Sequence, residues 1–155
     1  MASTNNQVAH VLAKHYQNNS TVDASFAVTE TGNSVLYNIK NCPFILDGTQ
    51  SDVSLGETLY KNGGKSGNSN STVICTCLSA HCYDDNLGIS YYLTDMIATS
   101  TMTSSGDSGG IAYVATGENN GRGASAVGIV KGAGGGYSAF IKASNITSVM
   151  GFTAR

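Results

Sequence analysis

Apolar and polar residues alternate in short runs along most of the chain, and clusters of Gly, Asn, Asp and Ser separate the runs. Alternation with period two places the apolar side chains on one face of a strand. Strands are predicted over residues 11–16, 25–29, 34–39, 57–61, 72–78, 88–97, 111–116, 126–131 and 137–141. Turn residues at 17–20, 32–33, 62–70, 84–86, 118–121 and 134–136 punctuate them. Residues 41–50, with the chain's one proline at Pro43, read as a connection. The period changes only at the end, where Ile146, Val149 and Met150 have helical spacing. Ser144 is placed to cap that helix and Gly151 to stop it. Consecutive strands at hairpin spacing with one terminal helix predict an antiparallel barrel or sandwich.

Composition supports this reading and narrows the function. The chain has 155 residues, 19 of them glycine, with 41% hydrophobic and 12% charged residues. That length suits one domain with a sizeable core. The net charge is −2 with no basic run, so nucleic acid is not expected as a partner. No apolar run approaches the roughly 20 residues of a membrane span, and no membrane partner is expected. Residues 1–20 are polar and lack the apolar core of a secretion signal. The four cysteines, Cys42, Cys75, Cys77 and Cys82, permit two disulfides in three connectivities, or buried thiols. A zinc site at Cys75, Cys77, His81 and Cys82 lacks the usual two separated ligand pairs, so no metal or cofactor is expected. Gly64-Lys65-Ser66 resembles the end of a phosphate loop, but residue 59, where that motif needs glycine, is leucine.

The residues with most chemical content are Ser104-Ser105-Gly106-Asp107-Ser108-Gly109-Gly110. Glycine on both sides of Ser108 permits a tight turn closed to residues with a Cβ. Such a turn holds a hydroxyl forward and aims successive backbone N–H groups at one point. Those are the needs of a nucleophile beside an oxyanion hole.

Gly106-Asp107-Ser108-Gly109-Gly110 resembles the nucleophile motif of the chymotrypsin-like serine peptidases, in particular their short bacterial, streptogrisin-type branch. Residues 96–99 resemble the strand leading into that motif, and residues 55–67 the opening strand and turn of the second barrel. Residues 128–132 resemble the substrate-binding strand, and Val22-Asp23-Ala24-Ser25-Phe26-Ala27-Val28 the segment bearing the triad aspartate. The likeness covers about residues 20–152. It implies an all-β fold, a chymotrypsin-like antiparallel double β-barrel with an incomplete first barrel and a short C-terminal helix. Residues 1–50 would be the remnant of the first barrel, and residues 51–155 the second barrel and helix, within one peptidase domain. It also implies a secreted serine endopeptidase acting on polypeptide. Ser108 would be the nucleophile, the N–H groups of Gly106 and Ser108 the oxyanion hole, and Asp23 the residue orienting a histidine. Met102 would lie at the floor of the specificity pocket, with Lys131, Gly132 and Ala133 along its wall.

One part of the family pattern is missing. The family's histidine lies well upstream of the aspartate, and only 22 residues precede Asp23. His10 is the superficial match, but it lies only 13 residues before Asp23. In a second register residues 11–16 form the strand just before the aspartate segment. The histidine-bearing strands are then absent, His15 is an ordinary surface or groove residue, and His81 falls in a second-barrel loop. On that register no histidine of the chain serves as base, and a serine without one keeps roughly 10³–10⁴-fold catalysis over water. The reading therefore divides between a serine endopeptidase and an inactive homologue that binds peptide by strand addition. The missing strands would leave edges and apolar faces for a second copy or a complementing chain to cover.

Overall fold

The computed structural model describes residues 9–32, 36–84 and 88–151. Two short strands come first, β1 (Ala9–Tyr16) and β2 (Asp23–Thr29), paired as an antiparallel hairpin. The other strands are β3 (Ile45–Gln50), β4 (Thr58–Gly63), β5 (Gly67–Asp84), β6 (Ile89–Ser100), β7 (Ile111–Ala115), β8 (Gly123–Gly134) and β9 (Tyr137–Lys142). These seven form one sheet in the order β3-β8-β7-β4-β5-β6-β9, and β8 also pairs with β9. The extra pairing closes β4 to β9 into a six-stranded antiparallel ring, with β3 lying parallel along β8. Closure leaves the ring without a free edge. The incomplete first half is the β1–β2 hairpin, and among the described residues no further strand extends that two-stranded sheet.

Inward-facing residues of the ring make one core cluster: Leu59, Val73, Ile97, Ala112, Val127, Val130 and Phe140. A second cluster ties the hairpin to the barrel. Val22, fully buried, joins Tyr91, Leu93, Met96, Ala139 and Ile141. The hairpin turn is fastened to β6, since the Thr94 N–H donates to the Ser20 carbonyl at 2.9 Å and the Tyr92 N–H to Asn18 Oδ1 at 2.8 Å.

Three expectations change. Residues 36–39 form no strand; Asn38 makes an isolated bridge to Ile45, and positions 34 and 35 fall outside the described residues. The expected connection at 41–50 carries β3, whose partner β8 is 73 or more residues away in sequence and parallel, so no hairpin signal marks it. Ser144 lies inside the helix Ala143–Met150, whose N-cap is Lys142 with no side-chain cap. Its hydroxyl instead donates to Asp52 Oδ1 at 3.3 Å. Gly151 does end the helix, in the left-handed conformation at φ 72°. Of the turn expected at 84–86, residues 85 and 86 are not described.

Candidate active site

The serine turn between β6 and β7 is built around a buried carboxylate. Gly106 (φ 95°) and Gly109 (φ 81°) supply the left-handed conformations that the turn requires. Between them Asp107 points inward and is fully buried. Its carboxylate accepts the Lys65 and Ser66 N–H groups at 2.9 and 2.8 Å, the Ser104 N–H at 3.0 Å and the Ser66 hydroxyl at 2.5 Å. Lys61 Nζ, also fully buried, lies 2.9 Å from Asp107 Oδ2. Lys61 in turn donates to Ser66 Oγ and, at 2.9 Å, to the Gly67 carbonyl. Burial works to raise the Asp107 pKa, but the donors from Lys61, Ser66 and Ser104 outweigh it and hold the carboxyl far below the ordinary carboxylate range.

The sequence carried a signal for Lys61. Leu59, Lys61 and Gly63 alternate on the buried face of β4, and a lysine in phase with a core leucine needs a buried anion. Gly63 is required by the same contact, because a Cβ there would sit 2.3 Å from Asp107 Cγ.

Backbone bonds fasten the turn to the barrel. The Gly110 N–H donates to the Asp107 carbonyl and the Gly109 N–H to the Val130 carbonyl, both at 2.9 Å. The Val130 N–H donates to the Gly110 carbonyl at 2.7 Å. Ser108 is left exposed at the crest, its hydroxyl donating to the Lys131 carbonyl at 3.0 Å. The N–H groups of Gly106 and Ser108 make no hydrogen bond with another described residue.

Ser108 opens onto a cavity of about 500 Å³ shared with His15, Asp23 and Lys131. Asp23, at the start of β2, is bound elsewhere than to an imidazole. Its Oδ2 lies 2.9 Å from Lys131 Nζ and accepts the Tyr91 hydroxyl at 2.8 Å. The Lys131 ammonium also lies 5.2 Å from the centre of the Tyr91 ring. Burial works to lower the Lys131 pKa, but hydrogen bonds with Tyr91 and Asp23 win and hold it above the usual lysine value. Burial, reinforced by Asp23, pushes the Tyr91 phenol up to about 12. At neutral pH this gives a charged ammonium and a protonated phenol gathered on one carboxylate.

The histidines are dispersed. His15, opposite Ala24 in the hairpin, lines the Ser108 cavity, its Nε2 3.1 Å from Ser20 Oγ. His10 pairs with Val28, at the other end of the hairpin from Asp23. Five strand positions separate the two levels, about 16 Å at the usual rise. His81 stands on β5 against the Tyr92 ring, centroids 4.8 Å apart. It lines a second cavity, of about 310 Å³, with Gly132, Ala133 and Tyr137, and Lys131 lines both. Met102 packs against the barrel core rather than lining either cavity; its N–H donates to Ser138 Oγ at 2.9 Å. Sequence reasoning named Ser108, Asp23 and Lys131, but not their convergence on Lys131. The i, i+23 separation of Ser108 and Lys131 gives no local pattern to read.

No family model and no curated protein matches the chain by sequence. Solved structures do match it in fold. A glutamic-acid-specific serine protease, described as using a histidine triad in substrate binding, superposes with a TM-score of 0.71 at 18% identity. That match covers 96% of this chain and 74% of the protease. Cellulomonas bogoriensis chymotrypsin gives 0.70 at 18% identity, covering 97% and 76%. Thermobifida fusca protease A gives 0.71 at 17%, covering 94% and 73%. The chain has the chymotrypsin-like fold, with one barrel closed and, among the described residues, the β1–β2 hairpin beside it.

Proposed function

We propose that this chain is a serine-type endopeptidase domain in which Ser108 attacks the peptide carbonyl and the Gly106 and Ser108 N–H groups receive the oxyanion. The observation that supports it most is the Asp107-anchored turn, which leaves an exposed hydroxyl beside two unbonded N–H groups at the mouth of a cavity. Donors fixed before reaction need no reorganisation as charge develops, and such stabilisation is worth about 10²–10³ in rate per donor. An extended polypeptide would run beside Lys131, Gly132 and Ala133, with Met102 beneath the specificity pocket. The base is His15, the imidazole on the Ser108 cavity, once its ring leaves Ser20. Lys131 cannot serve, because its ammonium is held charged. The same reading places the protein outside the cell, and a second copy or complementing chain over the outer edges of β1 and β2.

A second reading, a peptide-binding module without hydrolysis, is favoured by two observations. Asp23 is committed to Lys131 and Tyr91, and Ser108 to the Lys131 carbonyl. Labelling with a fluorophosphonate separates the two. The endopeptidase reading expects labelling that Ser108→Ala abolishes, His15→Ala lowers at least tenfold and His10→Ala leaves unchanged. Absence of Ser108-dependent labelling in folded protein selects the binding module. Labelling indifferent to His15→Ala removes that residue as base.

A further inference from the structure

The barrel wall carries a pair of thiols that the Ser108 site does not use. Between Val73 and Leu78, five residue steps of β5 run opposite three of β6, so the strand is bulged on both sides of Cys75. In a regular strand, positions i and i+2 lie roughly 6.6 Å apart on one face. That is near the upper limit of the usual 4.4–6.8 Å Cα separation across a disulfide. The register shift between Cys75 and Leu78 bends the strand at this point. Here the Cys77 N–H turns to the Cys75 sulfur, 3.5 Å away. Cys77 is exposed and Cys75 half-buried, so a reagent in solvent reaches the pair. A hydrogen bond between the two thiols, and then the charge on Cys75, push the Cys77 thiol up. Lys142 and Asp95 face the same site with opposite signs, and they are bonded to each other at 2.5 Å.

The other two cysteines are placed differently. Cys42 Sγ lies 3.1 Å from the Tyr113 hydroxyl, and burial pushes the half-buried Cys82 thiol up. All four are free thiols.

We propose that Cys75 and Cys77 are a redox-active dithiol that closes to an intrastrand disulfide when a low-molecular-weight disulfide supplies the oxidising equivalent. The Cys75 thiolate attacks one sulfur of the external disulfide and expels the first small thiolate. Cys77 then gives up its proton to solvent and attacks the Cys75 sulfur, expelling the second. Two protein thiols are oxidised and one external disulfide is reduced to two thiols. The ring is short, so the bond is strained and readily reopened by thiol. This inference is independent of the peptidase reading.

The test is mass spectrometry of the folded chain in a Cys42→Ser/Cys82→Ser background after incubation with oxidised glutathione. The expected product has lost two hydrogens, keeps no glutathione, maps to a 75–77 link and returns to the dithiol with dithiothreitol. Adding Cys77→Ser should instead trap one glutathione on Cys75. A product retaining glutathione on both residues, a disulfide-linked dimer, or an unchanged mass would overturn the proposal. A reduced protein that binds phenylarsine oxide no better than its Cys77→Ser variant would do the same.

Discussion

Asp107 is worth more to the fold than its charge would suggest, because it holds the serine turn to β4 and to the β4–β5 turn. Replacing Lys61 by methionine keeps the volume but leaves a buried carboxylate without its ammonium. Breaking such a pair costs about 3–5 kcal/mol, and the urea midpoint should fall accordingly. The pH dependence has a definite sign. The folded pKa of Asp107 lies below its unfolded value of about 3.9. Its contribution is therefore fully present above about pH 4 and drains away as pH falls toward the folded value. The stability gap between the native protein and Asp107→Asn should be widest at neutral pH and narrow steadily below about pH 4. A gap that does not change between pH 7 and pH 3 would contradict the assignment. At this scale the sequence was half legible. Ser108 and its glycines are a local pattern, whereas Lys61 reaches Asp107 across 46 positions and shows only as a lysine in phase with Leu59.

Among the elements, the β1–β2 hairpin is held most lightly. It pairs with itself, and it is attached through Val22 and Ala24 in the second cluster, the Ser20 and Asn18 bonds to β6, and the contacts of Asp23 with Lys131 and Tyr91. Each ring strand, by contrast, is bonded on both sides. Amide exchange should therefore be faster in β1 and β2 than in β4 to β9. Val22→Ala should remove about 1.5–3 kcal/mol of attachment, and hydrogen exchange should show the hairpin losing protection while the ring keeps it. Uniform acceleration would mean that hairpin and ring open together. Most strands were legible because alternation marks any half-buried strand. β3 was not, since its pairing is parallel and distant. The first part of β5 was not either: Gly67-Asn68-Ser69-Asn70-Ser71 has turn composition, yet it is held as strand by its ladder to β4.

For the molecule as a whole, the sequence indicated an all-β chain, and the likeness of its motifs indicated which one. Ring closure itself was out of reach, because the β8–β9 ladder that completes it also looks like an ordinary hairpin. What the hydroxyl of Ser108 can do likewise depends on the juxtaposition of β2, β8 and the serine turn, which no single segment encodes.

The buried Lys61–Asp107 contact also bears on the order of events in time. The ring must join β4 to β7 across about 50 residues, and non-local pairings of that kind place folding on the slow side. The ammonium can meet its carboxylate only when β4 and the serine turn are already adjacent. We expect it at the last stage of assembly, after the rate-limiting step. Lys61→Met should then speed unfolding by nearly the whole of its destabilisation while refolding changes little. Stopped-flow urea chevrons can read both limbs. A refolding limb that slows as much as stability falls would instead put the contact in the nucleus. If it forms late, the site geometry arises only once the barrel has closed, and a partly folded chain carries Ser108 without its turn.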